Sequence, residues 1–317
     1  MFVKEIRMKK QKVIKICVIA AVAAGCILLA AGWVHFAVLY SENQADESYI
    51  STDGEVERIL RGILINNARF ANGEDAAVTY DFDCPEYAEL REKYDLGRLA
   101  GDGTEFEKGC RLMHAFSPRL AHGGSYGDDG IAMNSLELLE YSLDKPNHTI
   151  NCRCKSQIFG EMCLSLGIYA KKVWIMPYSQ LDDECHVVTE IYDSSYGKWI
   201  MLDFTNELYF TDENGTPLSV TEIREGLING ETMKYMSTES GSAEEIPEDD
   251  TTADRLYYLK NTAYFYTLTE NGFGEQGACY YLVPEGASEE FTAAIVGEND
   301  RIISPGSFNA APCFANE

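Results

Sequence analysis

The chain has 317 residues, enough for one sizeable domain with a membrane segment or for two small domains. It carries 51 acidic against 26 basic residues, and six basic residues but one acidic residue fall within residues 1–15, so the remainder has a formal charge of −30. Such a surface repels nucleic-acid phosphates and anionic lipid headgroups, which excludes nucleic acid as a ligand of the main domain.

An apolar stretch of 25 residues, interrupted only by His35, runs from Ile16 to Tyr40. A bilayer takes about 20 residues to span, and the basic residues before the stretch favour a cytoplasmic tail at 1–15. A cleaved signal peptide, or a lipoprotein signal ending at Cys26, would have a shorter apolar core than this one. The sequence therefore predicts an uncleaved transmembrane anchor at 16–40, with the main domain outside the cytoplasm.

Residues 41–54 are polar and acidic and are predicted to be a spacer before a single domain at 55–317. Apolar residues at helical spacing predict a helical lobe in its first part, and a short helix after residue 219. The predicted helices are Val56–Ala68, Tyr87–Leu99, Phe106–His114, Asn134–Ser142 and Val220–Leu227.

A further helix is predicted directly after Asn151, and two cysteines, Cys152 and Cys154, lie in its first turn. Thr149 or Asn151 can cap its start, and Gly167 can end it in the left-handed conformation. A thiol in the first turn of a helix faces unpaired backbone N–H groups and the positive end of the helix dipole, which favour thiolate. One buried face is predicted from apolar residues at steps of three and four: Ile158, Phe159, Met162, Cys163 and Leu166.

Three strands are predicted after this helix, in the segments AKKVWIM, HVVTEIYD and KWIMLDF. The last two form a hairpin, and a four-residue turn at Asp193–Tyr196 would set Val188 against Met201 and His186 against Asp203. Directly opposed residues share a face of the sheet. The predicted register thus places a carboxylate beside an imidazole, where it would orient the ring and favour its protonated form.

At these residues the chain resembles the transglutaminase-like superfamily, whose pattern is a Cys that opens a helix ending in Leu-Gly-Ile, a His on a strand and an Asp after Trp. Cys152, His186 and Asp203 match that pattern, and NCRCKS, LSLGIYAKKV, CHVVTEIY and KWIMLDFTNELYF are similar to a bacterial, membrane-anchored branch. The strong part of the resemblance covers about 151–230, within a predicted core at 149–230. Many members have Asp-Pro-Thr where this chain has Asp203-Phe204-Thr205.

The resemblance implies an α+β fold, a papain-like core whose catalytic helix packs on an antiparallel sheet. It also implies acyl transfer, or amide or peptide hydrolysis, through a thioester on Cys152. His186 would hold the thiolate and protonate the leaving group, and Asp203 would fix the imidazole tautomer. Expected partners are a protein or peptide substrate, a component of the cell envelope included, and no cofactor or metal is expected. Candidate oxyanion or pocket residues are Asn151, Trp199 and Asn206.

Three alternatives remain open at the level of sequence. A surface binding module could retain the fold without turnover. A disulfide-handling protein could use Cys152 with Cys154. A zinc site could be built from Cys152, Cys154, Cys185 and His186, although neither C-x-C nor C-H is the usual ligand spacing.

The remaining polar and acidic residues are predicted to be peripheral. Residues 237–254 have too little apolar surface to pack and are predicted to be a mobile insertion. Arg153 and Lys155 are expected to face solvent. The same applies to three histidines that are expected in loops or on the surface, His114, His122 and His148.

The C-terminal segment and the cysteines complete the expectations. Aromatic segments, LYYLKNTAYFYTL and ACYYLVP, predict a strand-rich completion of the domain at 255–317. An extracytoplasmic location would permit disulfides among Cys84, Cys110, Cys163, Cys185, Cys279 and Cys313, and the alternative is that these are free, buried thiols.

Overall fold

The computed structural model describes residues 54–123, 130–179, 181–182 and 184–312. The predicted tail, anchor and nearly all of the spacer lie outside these residues, as does Cys313. Among the described residues, no helix has the length and apolar character needed to cross a bilayer.

The described residues form a mixed α and β fold, as the sequence predicts for an α+β domain. The helices are α1 (Glu55–Asn66), α2 (Glu86–Tyr94), α3 (Leu96–Ala100), α4 (Glu105–Phe116), α5 (Ser135–Asp144), α6 (Cys152–Ser165), α7 (Val220–Asn229), α8 (Thr252–Asn261), α9 (Glu289–Ile295) and α10 (Pro305–Phe308). The strands are β1 (Thr79–Tyr80), β2 (Ala170–Met176), β3 (His186–Asp193), β4 (Lys198–Leu202), β5 (Leu208–Thr211), β6 (Lys234–Ser237), β7 (Glu244–Glu245), β8 (Tyr264–Leu268), β9 (Glu270–Asn271), β10 (Cys279–Leu282) and β11 (Arg301–Ile302).

The main sheet has six strands in the order β11-β10-β8-β2-β3-β4, and its pairs are antiparallel except for β10 with β11. Its two faces alternate along each strand. Ile191, Ile200 and Leu202 pack with α4, α5 and α6, whereas Val188 and Met201 pack with α7, α8 and β5. Both faces of the sheet are therefore covered, which explains why all eight residues of β3 are buried.

Helix α6 is buried all round. Every residue from Cys154 to Ser165 is buried, so the predicted single buried face underestimates its burial. Its buried polar side chains form hydrogen bonds with other parts of the domain. Glu161, for example, accepts hydrogen bonds from Ser135 N at 2.8 Å and from Gly274 N at 2.9 Å. A buried polar side chain is tolerated when its hydrogen bonds are made, which apolar periodicity does not reveal.

Two predicted segments differ from the structure. The region 87–99 forms two helices instead of one, because Asp95 has a φ of 53° and interrupts the helix. In the segment LYYLKNTAYFYTL, the first residues form the end of α8 and only Tyr264–Leu268 form a strand, β8. Tyr258 and Leu259 pack into the core from this helix, so the aromatic content that suggested a strand serves a helix instead.

The acidic insertion at 237–254 pairs with a neighbouring strand and has buried residues, although its mobility stays a prediction from the sequence. β7 pairs antiparallel with β6, and Ile246 N donates to Tyr235 O at 2.7 Å. Thr238 and Thr251 are buried. Few apolar residues suffice here because the segment lies along an existing strand and supplies one apolar side chain, Ile246, to the core.

The seven cysteines of the described residues are free thiols. Cys154 and Cys163 are fully buried and pack in the core around α6, as small hydrophobic residues do. Cys163 thus agrees with the second of the two alternatives drawn from the sequence, a free and buried thiol, whereas the free thiols at 84, 110, 185 and 279 are only partly buried.

Candidate active site

Cys152 is the first residue of α6, and the capping residue is Asn151. The Asn151 backbone is extended, and its side-chain oxygen accepts a hydrogen bond from Cys154 N at 3.0 Å. Of the two caps considered from the sequence, the structure thus selects Asn151. At the other end, Gly167 has a φ of 77° and follows the capping residue, as predicted.

The Cys152 thiol is half-buried, and the His186 side chain and the backbone of Val187 interact with it and favour its thiolate form. Burial by itself raises the pKa of this thiol, but the hydrogen bond and positive charge of His186 outweigh burial and lower the pKa below its ordinary value. The position at the start of the helix, the imidazole of His186 and the backbone N–H of Val187 all favour the thiolate form of Cys152 over the thiol. Cys152 is therefore suited to be a nucleophile at neutral pH.

His186 opens β3 and is buried. Its Nε2 lies 2.8 Å from Asp203 Oδ2, which leaves Nδ1 for the Cys152 side. Burial lowers the pKa of His186, but the Asp203 carboxylate and Cys152 outweigh it and raise the pKa to about 10. The arrangement favours an imidazolium held between a thiolate and a carboxylate.

The hairpin register differs from the predicted one by two residues. The turn occupies 194–197, Asp193 pairs with Lys198, and Thr189 pairs with Leu202 at the end of the ladder. Gly197 has a φ of 65° and takes the last position of the turn, which displaces the turn by one residue. Because side chains alternate with period two, the displacement keeps His186 and Asp203 on one face, as diagonal neighbours instead of directly opposed residues.

Asp203 is completely buried and its carboxylate is held by several donors. Besides His186, Oδ2 accepts hydrogen bonds from Tyr258 Oη at 2.7 Å and from Asn206 Nδ2 at 2.9 Å, and Oδ1 accepts from Thr205 N at 3.0 Å. Burial raises the pKa of Asp203, but His186 and these donors lower it below its ordinary value. The carboxylate therefore stays charged and fixed in position.

The side chains of the three candidates for the oxyanion site or pocket, Asn151, Trp199 and Asn206, make other contacts. The side chain of Asn206 binds Asp203, and the oxygen of Asn151 is used by the helix cap. Trp199 pairs with Tyr192, six residues along β3 from His186, or roughly 20 Å at the rise of a strand. Its indole N–H donates to Ala310 O at 2.8 Å. The interpretation of Trp199 as a wall of the acyl pocket is therefore wrong.

The two basic residues beside the thiol have different environments. Arg153 is partly exposed and bonds to Glu275, as expected for a surface residue. Lys155 is buried, contrary to the expectation, and its Nζ lies 3.3 Å from Ser117 Oγ and 3.5 Å from Thr205 O. Burial lowers the pKa of Lys155, partly offset by Asp203. Its charge thus contributes to the potential around the Asp203 carboxylate.

Two residues near the site were not assigned there from the sequence. Tyr258 belongs to the helix that was misread as a strand, so no signal in its segment pointed to Asp203. His122 forms a bridge with Ile150 next to the start of α6, and its neighbour Gly123 N donates to Ile150 O at 3.1 Å. Partial burial and the positive charges of Lys155 and His186 lower the pKa of His122. The His122 ring is exposed, and its lowered pKa favours a neutral imidazole near the triad formed by Cys152, His186 and Asp203.

The four residues of the zinc alternative do not form a coordination group. Across the described parts of the chain, no three His, Cys, Asp or Glu side chains are grouped so that they could hold a metal ion. Cys154 points into the core and is fully buried, and burial raises its pKa to about 11. His186 already binds Asp203 through Nε2.

Comparisons of the chain with protein-family models, with curated proteins and with solved structures found no match.

Proposed function

We propose that the described domain is a cysteine-dependent acyl-transfer enzyme of the transglutaminase-like superfamily, with a papain-like core. One observation carries this proposal: the buried His186 ring joins the Cys152 thiol on one side to the Asp203 carboxylate, 2.8 Å away, on the other. This arrangement supports the roles of nucleophile for Cys152, base for His186 and orienting group for Asp203.

The reaction proposed for this site has two stages. The Cys152 thiolate attacks the carbonyl carbon of an amide, and the imidazolium of His186 donates its proton to the leaving amine as the C–N bond breaks. An acyl thioester then remains on Cys152. Water or a second amine attacks the thioester, His186 accepts the proton of the attacking group, and the S–C bond breaks to restore the thiolate.

The start of α6 offers a donor for the oxyanion that forms in each stage. The backbone N–H of Cys152 is in the first turn, where amide groups have no acceptor within the helix. His122 is an additional candidate because its neutral ring carries one N–H and lies beside the triad. Asn151 retains only its amide N–H for such a role, since its oxygen caps the helix.

Two alternatives from the sequence fit the geometry less well. A redox role for C-x-C requires Cys154 to be accessible, yet this thiol is fully buried and its pKa is raised to about 11. A binding module has no need of a buried carboxylate with several donors beside an imidazole. The Asp203 environment thus favours catalysis over binding alone.

We further propose that the domain acts outside the cytoplasm on a protein or peptide substrate, such as a component of the cell envelope, with the segment 16–40 as its membrane anchor. The length of the apolar stretch and the basic residues before it support this location. The strongly acidic composition favours a cationic partner over an anionic one.

The experiment uses the full-length chain in detergent with a mixed peptide library, in the presence and absence of monodansylcadaverine as an amine acceptor. We expect His186-dependent cleavage of peptides, or attachment of the amine to them, read by mass spectrometry. Cleavage assigns water as the acceptor, and attachment assigns an amine. If neither product appears while the Cys152 thiol is reactive, the binding-module alternative replaces this proposal.

A further inference from the structure

A cavity of about 320 Å³ lies away from the triad, between α1, the end of α7, β6 and β7, and α8. Small-molecule sites begin at about this volume. None of the triad residues lines it. Its polar lining comes from side chains of both charge signs, whose pairing indicates what the cavity would accept.

Most of the lining charges are already paired with each other. Arg255 Nη2 lies 3.0 Å from Glu57 Oε2, and Lys234 Nζ lies 3.5 Å from Glu245 Oε2. Three lining charges remain outside these ion pairs, the guanidinium of Arg61 and the carboxylates of Glu231 and Glu248, although Glu231 Oε1 accepts a hydrogen bond from Asn229 Nδ2 at 2.9 Å. The residues of the lining that form no ion pair with one another therefore offer one cation and two anions to a ligand.

Arg61 presents a guanidinium with its terminal nitrogens unused. Its Nε donates to Ile228 O at 3.1 Å, and across the described residues neither Nη atom has an acceptor. The group lies against Gly230, which has a φ of 69°, and a Cβ there would come 2.4 Å from Arg61 Nη2. Such a fork of two N–H groups suits the two oxygens of a carboxylate.

The wall of the cavity also contains polar groups without partners. The Tyr235 side chain is 95% buried, and its hydroxyl has no hydrogen-bond partner among the described residues. Arg255 Nε is also without one. Burial raises the pKa of Tyr235 well above its ordinary value, so the hydroxyl is a donor at neutral pH. Buried polar groups usually have a partner, and a ligand or water in the cavity would supply one.

The rest of the lining is apolar. Leu227 and Leu259 are buried core residues, and Met233 and Ile246 pack against the same core. An aliphatic side chain of a ligand would find contacts there, while its charged groups could meet Arg61 and Glu248 or Glu231 in the same lining.

We propose that this cavity is a binding site for a small zwitterion, a free aliphatic amino acid or a dipeptide, with its carboxylate on Arg61 and its ammonium on Glu248 or Glu231. A ligand with only one charge does not match these lining residues, because a simple anion would face two carboxylates and a simple cation would face the guanidinium of Arg61.

Isothermal titration of the full-length chain in detergent tests this proposal with L-leucine, leucylglycine, 4-methylpentanoate and isoamylamine. The last two keep the side chain of leucine but carry only one of its charges. We expect saturable binding of L-leucine or leucylglycine, and binding at least about tenfold weaker for both single-charge compounds.

Two variants locate the site. Arg61→Gln is expected to weaken binding at least about tenfold, and Glu248→Gln, at an exposed position, to weaken it severalfold with the fold intact. Arg69→Gln, an exposed arginine outside the cavity that pairs with Glu285, is the matched control and is expected to bind normally. Absence of saturable zwitterion binding, equal binding of the single-charge compounds, or unchanged affinity in both cavity variants would overturn the proposal.

The result is independent of the proposed enzymatic function. Cys152→Ala removes the nucleophile and leaves the cavity lining unchanged, so this variant is expected to bind the zwitterion like the unaltered chain. A chain that binds leucine but transfers no acyl group would retain the cavity proposal and reject only the enzyme.

Discussion

Replacing Cys152 by Ala is expected to abolish covalent labelling of the active site by a thiol-directed acylating probe, whereas replacing Cys154 by Ala is expected to preserve it. The pKa of Cys152 is lowered by His186 and by the Val187 N–H, whereas burial raises that of Cys154 to about 11. The loss of the nucleophile should reduce the rate of acylation by more than about 10³-fold. The measurement is the intact mass of the full-length chain, with peptide mapping.

The Cys154→Ala variant is a matched control because it removes the neighbouring thiol from the same turn of α6. Its expected cost is in stability, about 1 kcal/mol, because Cys154 packs as a small hydrophobic residue in the core. Loss of labelling in a folded Cys154→Ala chain, with labelling retained in Cys152→Ala, would reverse the assignment of the nucleophile.

Glu190→Gln is expected to lower the free energy of unfolding by about 3 kcal/mol, because it leaves a buried cation without its counter-ion. Lys171 Nζ lies 3.2 Å from Glu190 Oε2, and both side chains are at most 1% exposed. Lys171 also donates to Phe308 O at 2.6 Å and lies over the rings of Trp199 and Phe308. This group joins β2 and β3 to the last described helix.

The pH dependence of this variant follows from the pKa of Lys171. Burial lowers that pKa, and the charge of Glu190 partly offsets the effect in the unaltered chain. Without the carboxylate, the pKa in the folded state falls further below the ordinary value of about 10.4. Between the two values the unfolded chain binds more protons, so stability rises with pH, and the loss should be smaller at pH 10 than at pH 7.

Chemical denaturation of two further variants checks the cause. Lys171→Met combined with Glu190→Gln removes both charges and is expected to recover most of the loss, while the amide retains an acceptor for Val220 N. Glu140→Gln breaks an exposed pair with Lys93 and is expected to cost less than about 1 kcal/mol. A double variant as unstable as Glu190→Gln would show that the unpaired charge is not the cause.

Local sequence patterns predicted the helix and strands that carry Cys152, His186 and Asp203. Each of these residues lies at or next to the end of such an element, where capping or turn residues mark the boundary. Asn151 and Gly167 mark the ends of α6, and the bounds of β2 and β3 match their predicted segments. The register was wrong by two residues, since it depended on where Gly197 falls in the turn. The relation of His186 to Asp203 tolerated this error because an even displacement keeps side chains on the same face.

The surroundings of the triad depend on tertiary contacts that local patterns do not encode. Tyr258 reaches Asp203 from a helix that begins 49 residues later in the chain, at Thr252. Lys155 is charged and lies at the start of α6, which is typical of an exposed residue, yet it is buried, with its Nζ 3.3 Å from Ser117 Oγ and 3.5 Å from Thr205 O. Burial of polar residues is decided by what packs against them, and the sequence of α6 does not contain that information.

Labelling of Cys152 by substoichiometric iodoacetamide as a function of pH tests whether His186 holds this thiol as an activated thiolate. A lowered pKa of Cys152 keeps a thiolate fraction as the pH falls, and a raised pKa of His186 keeps the imidazolium until about pH 10. In the reduced full-length chain we expect selective labelling of Cys152 at pH 6, at least about tenfold slower in His186→Ala. Labelling of Cys152 no faster than that of the other thiols at pH 6, or an unchanged rate in His186→Ala, would contradict the account.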